Sequence, residues 1–330
     1  MILAGDVGGT KTLLGLFGRA GRKLTPVREA SFPSQDYPSL GAMIAEFLHR
    51  GRQKVDRFAV GVAGPVVNGR SQVVNLRWPV DAAKLAGELG LGQGQVLNDL
   101  EATAWGIPEL PPGKLVSLTP GLRPRPGNAA LIAAGTGLGM SHLVKDGERF
   151  LPQASEGGHQ AFSPRNELEI DLLRFMLERH DRVSVERIVA GPGFSEIYRF
   201  LVESGRGRET KRMKKRLAEA VDANAAITDA ALAREDATAS RVLDLFVSMY
   251  GAVAGDLALI TKATGGFFVG GGIAPKILPR LREGGFLRAF RDKGRLSPLL
   301  EKIPVRVILE PRTALIGAAA CAAAQNKRSR

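Results

Sequence analysis

The chain has 330 residues, 44% hydrophobic and 24% charged, a balance that supports a buried core and excludes a disordered polymer. That length is two to three times a usual domain, so two domains are expected. The net charge is +13, and the single cysteine, Cys321, excludes an intrachain disulfide and any zinc site built on several thiolates.

The first hundred residues alternate strands and helices. Met1–Val7 is an apolar strand ending at Gly8-Gly9, Thr12–Gly18 is a second strand and Pro26–Phe32 a third. Tyr37–Arg50 carries apolar residues at Leu40, Met43, Ile44, Phe47 and Leu48, which is the helical period. Phe58–Ala63 reads as a buried strand, Val80–Leu89 as a helix, Gln95–Leu97 as a strand and Glu101–Gly106 as a helix start. This alternation predicts an α/β domain with a mostly parallel sheet. The proline-rich Ile107–Lys114 is the best domain boundary, since its prolines continue neither a helix nor a central strand. Beyond it, Ala129–Ala134 and Met140–Val144 repeat the opening strand–glycine turn–strand unit and hint at an internal duplication. From Pro164 to about Gly265 the chain reads as mainly helical, clearest over Asn166–Arg179 and Ala239–Lys262. Gly265–Ile273 is a strand and glycine turn, followed by a helical Lys276–Arg282. Val305–Leu309 is a late strand and Ala314–Asn326 a final helix.

No uninterrupted apolar run reaches the ~18 residues of a membrane helix. No secretory signal is read either, because Asp6 interrupts the first ten residues and no basic stretch precedes it; the cytoplasm is the expected compartment. Charge is concentrated. Arg206–Arg216 contains seven basic residues and one acid, and the tail adds Lys327, Arg328 and Arg330. A solvated face is the expected reading. Nucleic-acid binding is not expected, since no aromatic residue is interleaved to stack on bases.

Three glycine-rich turns carry chemistry. In Gly5-Asp6-Val7-Gly8-Gly9-Thr10-Lys11, glycines let backbone N–H groups approach a phosphate closely. Thr10 adds a hydroxyl, Lys11 a charge, and Asp6 a ligand for Mg²⁺ or its water. The P-loop pattern fails here because Thr10 separates Gly9 from Lys11. Ala133-Ala134-Gly135-Thr136-Gly137-Leu138-Gly139 repeats the pattern. Gly270-Gly271-Gly272, at a strand end, creates a flat surface suited to an adenosine. For each, a plain tight turn remains the alternative. Among polar residues, Asn98-Asp99 follows a strand, where ligands of α/β sheets lie, although Asp99 also suits a helix N-cap. Glu156 and His159 flank two glycines, and Glu186 precedes Gly191-Pro192-Gly193. Together these offer the acceptors and donors that sugar hydroxyls need.

In order along the chain, GDVGGTK (5–11), LND (97–99), AAGTGLG (133–139), EGGH (156–159), VERIVAGPG (185–193) and VGGGIAP (269–275) resemble the bacterial glucokinase family of the hexokinase/actin-like ATPase superfamily. The resemblance implies an α/β, two-lobed actin-like ATPase (ribonuclease H-like) fold with duplicated mixed sheets and a cleft between lobes. Residues 1–110 plus 310–330 would form the small lobe and 111–309 the large one. It implies ATP-dependent phosphorylation of D-glucose at its 6-hydroxyl, at the entry to glycolysis, with Mg²⁺. Asn98, Asp99, Glu156, His159 and Glu186 would bind glucose, with Asp99 as catalytic base. Asp6, Gly8, Gly9, Thr10 and Lys11 would face the ATP phosphates, as would Gly135, Thr136 and Gly137, with Gly270 and Gly271 near adenosine. A homodimer and no structural zinc are implied. Lys11 is similar to the sibling ROK sugar kinases, but their cysteine-rich zinc motif is missing after EGGH. The basic stretch 206–216 is not part of the family pattern. Kinases for N-acetylmannosamine, fructose or glucosamine, and a non-catalytic sugar-responsive regulator, are the alternatives.

Overall fold

The computed structural model describes residues 1–21, 23–49, 54–73 and 76–324. In chain order the first elements are β1 Ile2–Val7, β2 Lys11–Ala20, β3 Lys23–Pro33, α1 Leu40–His49, β4 Arg57–Val62, β5 Arg70–Gln72, β6 Pro79–Asp81, α2 Ala82–Leu89, β7 Gln93–Asn98 and α3 Asp99–Gly106. There follow β8 Leu115–Ser117, β9 Ala129–Ala134, β10 Leu138–Asp146, β11 Arg149–Ser155, α4 Glu167–Leu177, α5 Val185–Ile188, α6 Gly191–Glu203, α7 Lys211–Glu219, α8 Ala223–Leu232 and α9 Ala237–Thr261. The last are β12 Gly266–Gly270, α10 Ile273–Lys276, α11 Leu278–Arg282, α12 Gly285–Arg291, α13 Ser297–Leu300, β13 Val305–Ile308 and α14 Thr313–Ala324.

The chain divides into two compact units. Unit 1 comprises Met1–Lys114, Phe150–Ala154 and Glu310–Arg330; unit 2 comprises Leu115–Arg149 and Ser155–Leu309. The main sheet of unit 1 has the order β3-β2-β1-β4-β7, and the second large sheet the order β11-β10-β9-β12-β13-β8. In each, an antiparallel pair (β1/β2, β9/β10) is continued by parallel strands (β4 and β7, β12 and β13). The two mixed sheets therefore repeat one design, as the paired strand–glycine–strand units suggested.

Side-chain alternation gives the unit 1 sheet two different faces. Leu3, Leu14, Leu16, Phe58 and Val60 point to one side and pack with Met43, Ile44 and Phe47 of α1. Ile2, Ala4, Ala59 and Leu97 point to the other and meet α3 and α14. Small residues on that second face bring α3 and α14 to backbone contact. A Cβ on Gly317 would lie 1.8 Å from the Ala102 carbonyl oxygen, and one on Gly106 2.2 Å from that of Thr313.

Unit 2 is built around α9. This helix is long and apolar enough to cross a membrane, yet 67% of its most apolar stretch is buried, against α6, α8 and α12. Gly251 and Gly255 let the Phe286 and Phe290 carbonyls pass close to its backbone.

Several sequence expectations shift. Val80 belongs to β6, so the helix starts at Ala82, where Asp81 caps it by accepting from Lys84 N. The helix expected over Lys276–Arg282 is interrupted at Ile277, with Pro279 opening α11. Strands β5, β8 and β11 are short or carry little alternation, and local patterning does not signal them. Arg50, Asn326 and the basic tail lie outside the described residues.

Candidate active site

In unit 1, strands β1, β4 and β7 run parallel with Val7, Val62 and Asn98 in register. The glycine turn after β1 and the Asn98-Asp99 pair after β7 therefore leave the sheet at the same end, two strand spacings apart, or about 10 Å. Gly8 N donates to Lys11 O (3.0 Å), closing the turn and leaving Thr10 and Lys11 exposed. Ser34 braces it from behind: its hydroxyl donates to Gly8 O (2.7 Å) and shares a hydrogen bond with Thr12 (2.9 Å). Nothing in the local pattern around Ser34 announced this role, since its partners lie more than twenty residues away.

Asn98 caps α3. Its Oδ1 accepts from Leu100 N (2.9 Å), and its Nδ2 donates to Gly64 O (3.2 Å). So Asn98, not Asp99, takes the N-cap position, and Asp99 is the first residue of the helix. Asp99 Oδ1 accepts from Leu100 N (2.8 Å). Gly61 of β4 lets the start of α3 pack close: a Cβ there would meet Ala102 Cβ at 2.8 Å. Asp6 lies near the end of β1, where burial pushes its carboxyl up to about 6 against the opposing pull of Lys11. Desolvation of the charged form is the physical cause.

In unit 2, Gly270 of β12 pairs with Ala133 of β9, so the third glycine turn lies beside the second. Gly271 has φ +81°, and a Cβ there would lie 2.2 Å from the Ala134 carbonyl oxygen. Only glycine fits this conformation at this distance. Gly135 N donates to Gly137 O (2.8 Å), and Gly191 N donates to Gly135 O (2.8 Å), tying the start of α6 to the loop. Leu138, the next residue, organises the rest. Its N–H donates to Glu186 Oε2 (2.8 Å). Its carbonyl packs against Gly158, where a Cβ would stand only 1.9 Å away. The 3-10 turn Gly157–His159 is held further by Arg182, which donates to His159 O (2.6 Å).

A cavity of about 290 Å³ in unit 2 gathers Thr136, His159 and Glu186, three of the residues singled out from sequence. It also contains His180 and Glu196, which belong to no glycine motif, and Arg187, which lies inside VERIVAGPG without being singled out there. Glu156 is exposed at the start of the 3-10 turn and does not line this cavity. The expected site residues thus fall into two sets, with Asp6, Gly8–Lys11, Asn98 and Asp99 in unit 1 and the others in unit 2.

Among the described residues, no group of three or more His, Cys, Asp or Glu side chains could hold a metal ion. A lone carboxylate such as Asp6 fits a Mg²⁺ that arrives with its phosphates and keeps its waters. The basic stretch forms α7 and its lead-in. Thr210 caps the helix, Met213 is buried, Arg212 and Arg216 both pair with Glu235, and Arg206 pairs with Asp171. Much of its charge is thus met by neighbouring acids, as on a solvated helix face.

The family model described as "Glucokinase" matches residues 3–325. A glucokinase of Trichormus variabilis is 42% identical over 98% of this chain and 99% of its own length. One from a Synechocystis strain is 38% identical over 97% of each. The crystal structure of a glucokinase from an Antarctic psychrotroph is 31% identical, covers 98% of both chains and superposes with a TM-score of 0.85. With a match over nearly its whole length and this identity to its relatives, the chain belongs to the glucokinase family.

Proposed function

We infer that this protein transfers the γ-phosphoryl group of ATP to the 6-hydroxyl of D-glucose, giving glucose 6-phosphate and ADP. Family membership supports the reaction. The observation that carries the assignment of groups is the register of β1, β4 and β7, which delivers Asp99 and the first glycine turn to one end of one sheet. Asp99 accepts the proton of the 6-hydroxyl while the sugar O6 bonds to the γ-phosphorus and the bond to the ADP oxygen breaks. Asn98, Glu156, His159 and Glu186 orient the sugar through its other hydroxyls. Backbone N–H groups and side chains of the turns at Gly8–Lys11 and Gly135–Gly137 face the phosphates, with Gly270 and Gly271 beside the adenosine. Asp6 would hold Mg²⁺ through a water, and the ion would supply charge neutralisation on the phosphoryl oxygens. The same family resemblance supports a cytoplasmic homodimer, a state that sedimentation velocity tests.

A coupled assay for glucose 6-phosphate, run with a panel of hexoses, tests the reading. Turnover is expected to favour glucose, and Asp99→Asn is expected to lower kcat by about 100-fold or more while glucose still binds. Full turnover in Asp99→Asn overturns the base assignment. Preference for another hexose overturns the substrate.

A further inference from the structure

Unit 2 contains a second cavity, of about 730 Å³, between the start of α4, the middle of α9 and the α11–α12 segment. None of the glycine-turn residues lines it, nor do His159 and Glu186. Three arginines do, and they are held differently. Arg280 is 8% exposed, with Nε 3.3 Å from Asp244 Oδ1 and Nη1 donating to Glu283 Oε2 at 2.8 Å. Arg165 is gripped by both oxygens of the buried Glu169 and by Ser248 Oγ (2.9 Å). Arg288 is exposed, its backbone N–H donates to Gly284 O (2.9 Å), and among the described residues its guanidinium makes no hydrogen bond or ion pair.

A guanidinium has five N–H donors in a rigid fork. Asp244 and Glu283 beside Arg280, and Glu169 beside Arg165, fix two forks in place, so little side-chain entropy remains to be lost when a ligand binds. Among the described residues, Arg280 Nη2 and Arg165 Nη1 make no hydrogen bond to protein, and Arg288 keeps its whole fork. These are donors suited to a phosphate, which Arg288 can meet in bidentate fashion and Arg280 and Arg165 through one nitrogen each. The lining also carries three carboxylates, Asp244, Glu283 and Asp292. They repel a polyanion but accept hydrogen bonds from hydroxyls. The volume lies in the range of small-molecule sites and far exceeds one inorganic ion. The three arginines and three carboxylates of the lining balance in formal charge, so recognition rests on hydrogen bonds: one phosphate on the open guanidinium N–H groups, with several hydroxyls on the carboxylates, matches the donors, the acceptors and the volume together.

We propose that this cavity is a binding site for a phosphorylated sugar, separate from the glycine-turn site. The test is calorimetric titration of the full chain with glucose 6-phosphate while saturating glucose occupies the sugar site. Binding is read as heat, not turnover, so the result stands apart from the kinase reading. Wild type is expected to bind one equivalent. Arg288→Glu, at an exposed position, is expected to weaken it about tenfold or more with unchanged kcat. Asp292→Asn is expected to weaken glucose 6-phosphate but not inorganic phosphate. Absence of binding in the wild type overturns the proposal, as does unchanged binding in Arg288→Glu. Inorganic phosphate binding as tightly as the sugar phosphate reduces the site to a bare anion site and overturns the sugar assignment.

Discussion

Glu186 Oε2 accepts a hydrogen bond from the backbone N–H of Leu138 at 2.8 Å, joining a carboxylate of α5 to the strand that leaves the second glycine loop. One residue earlier, a Cβ on Gly137 would lie 2.6 Å from that same oxygen. Gly137→Ala is therefore expected to push Glu186 aside and raise the KM for glucose about tenfold, the loss of one hydrogen bond to a charged group. Glu186→Gln, which can still accept from Leu138, is expected to keep the fold and lose sugar affinity. Steady-state kinetics with both substrates checks this; an unchanged KM for glucose in both variants would separate the loop from the sugar.

Asp6 links stability to pH. Its carboxyl is raised from 3.8 to about 6 by burial, so the folded chain holds this proton more tightly than the unfolded one. As pH rises from about 4 to 6 the unfolded state ionises first, and stability falls; above pH 6 the cost levels off at no more than about 3 kcal/mol. Asp6→Asn is expected to be more stable at pH 7 and to flatten the urea midpoint between about pH 4 and 6. It is also expected to turn over more slowly, the usual exchange of stability for function. An unchanged midpoint profile would show that Asp6 is solvated in the folded chain.

Glu310 behaves in the opposite sense. It is nearly buried in unit 1, with Arg312 Nε at 2.9 Å and Lys114 Nζ at 3.3 Å, and Arg312 reaches on to Glu29. Hydrogen bonds from Arg312, then from Lys114, hold its carboxyl down at about 2. Its stabilisation is complete above the ordinary carboxylate range near 4.5 and is lost as pH falls toward 2. Both cationic partners are about half exposed, so Glu310→Gln is expected to cost about 2 kcal/mol at pH 7, below the usual cost of breaking a fully buried pair. Denaturant melts at pH 7 and about pH 3 check it: the difference from wild type should shrink at the lower pH.

Gly317 and Gly106 set the distance between α14 and α3, the helix that begins at Asp99. Gly317→Ala would drive a methyl group into the Ala102 carbonyl at 1.8 Å. Overpacking of this kind costs about 1–3 kcal/mol, and here it also shifts the helix that carries the proposed base. Lower thermal stability together with a lower kcat is expected. Loss of stability with full kcat per folded molecule would show that α3 holds its position independently of α14.

The basic helix α7 is expected to be dispensable for turnover. Lys214→Glu with Lys215→Glu, both exposed, should leave kcat and both KM values unchanged. A large change in either KM would give the segment a role in substrate binding.

The strand–glycine–strand units were legible because their signals are local. An apolar run in a buried parallel strand is nearly continuous, and glycine follows where the chain must turn or approach another backbone. The pairs Ala133/Gly270 and Val62/Asn98 were not legible, because register between strands depends on residues far apart in sequence. For the same reason Ser34 went unseen behind Gly8, as did His180 and Glu196, which share a cavity with the distant Thr136 and His159. Boundaries slipped where a cap overrode periodicity. Asp81 caps α2, so that helix begins at Ala82 and leaves Val80 to a strand. Asn98 takes the cap position of α3 that a lone aspartate suggested for Asp99.

By itself, then, the sequence determined the α/β class, the duplicated sheet units, the three glycine turns and the polar residues around them, since strand, helix and turn preferences act over a few residues. Which of those residues become neighbours was decided only by tertiary structure. Parallel register set Asp99 at the same sheet end as the first glycine turn, the Leu138 N–H drew Glu186 to the second, and packing of α4, α9 and α12 enclosed the arginine-lined cavity. Each of these depends on distances between segments that no local pattern encodes.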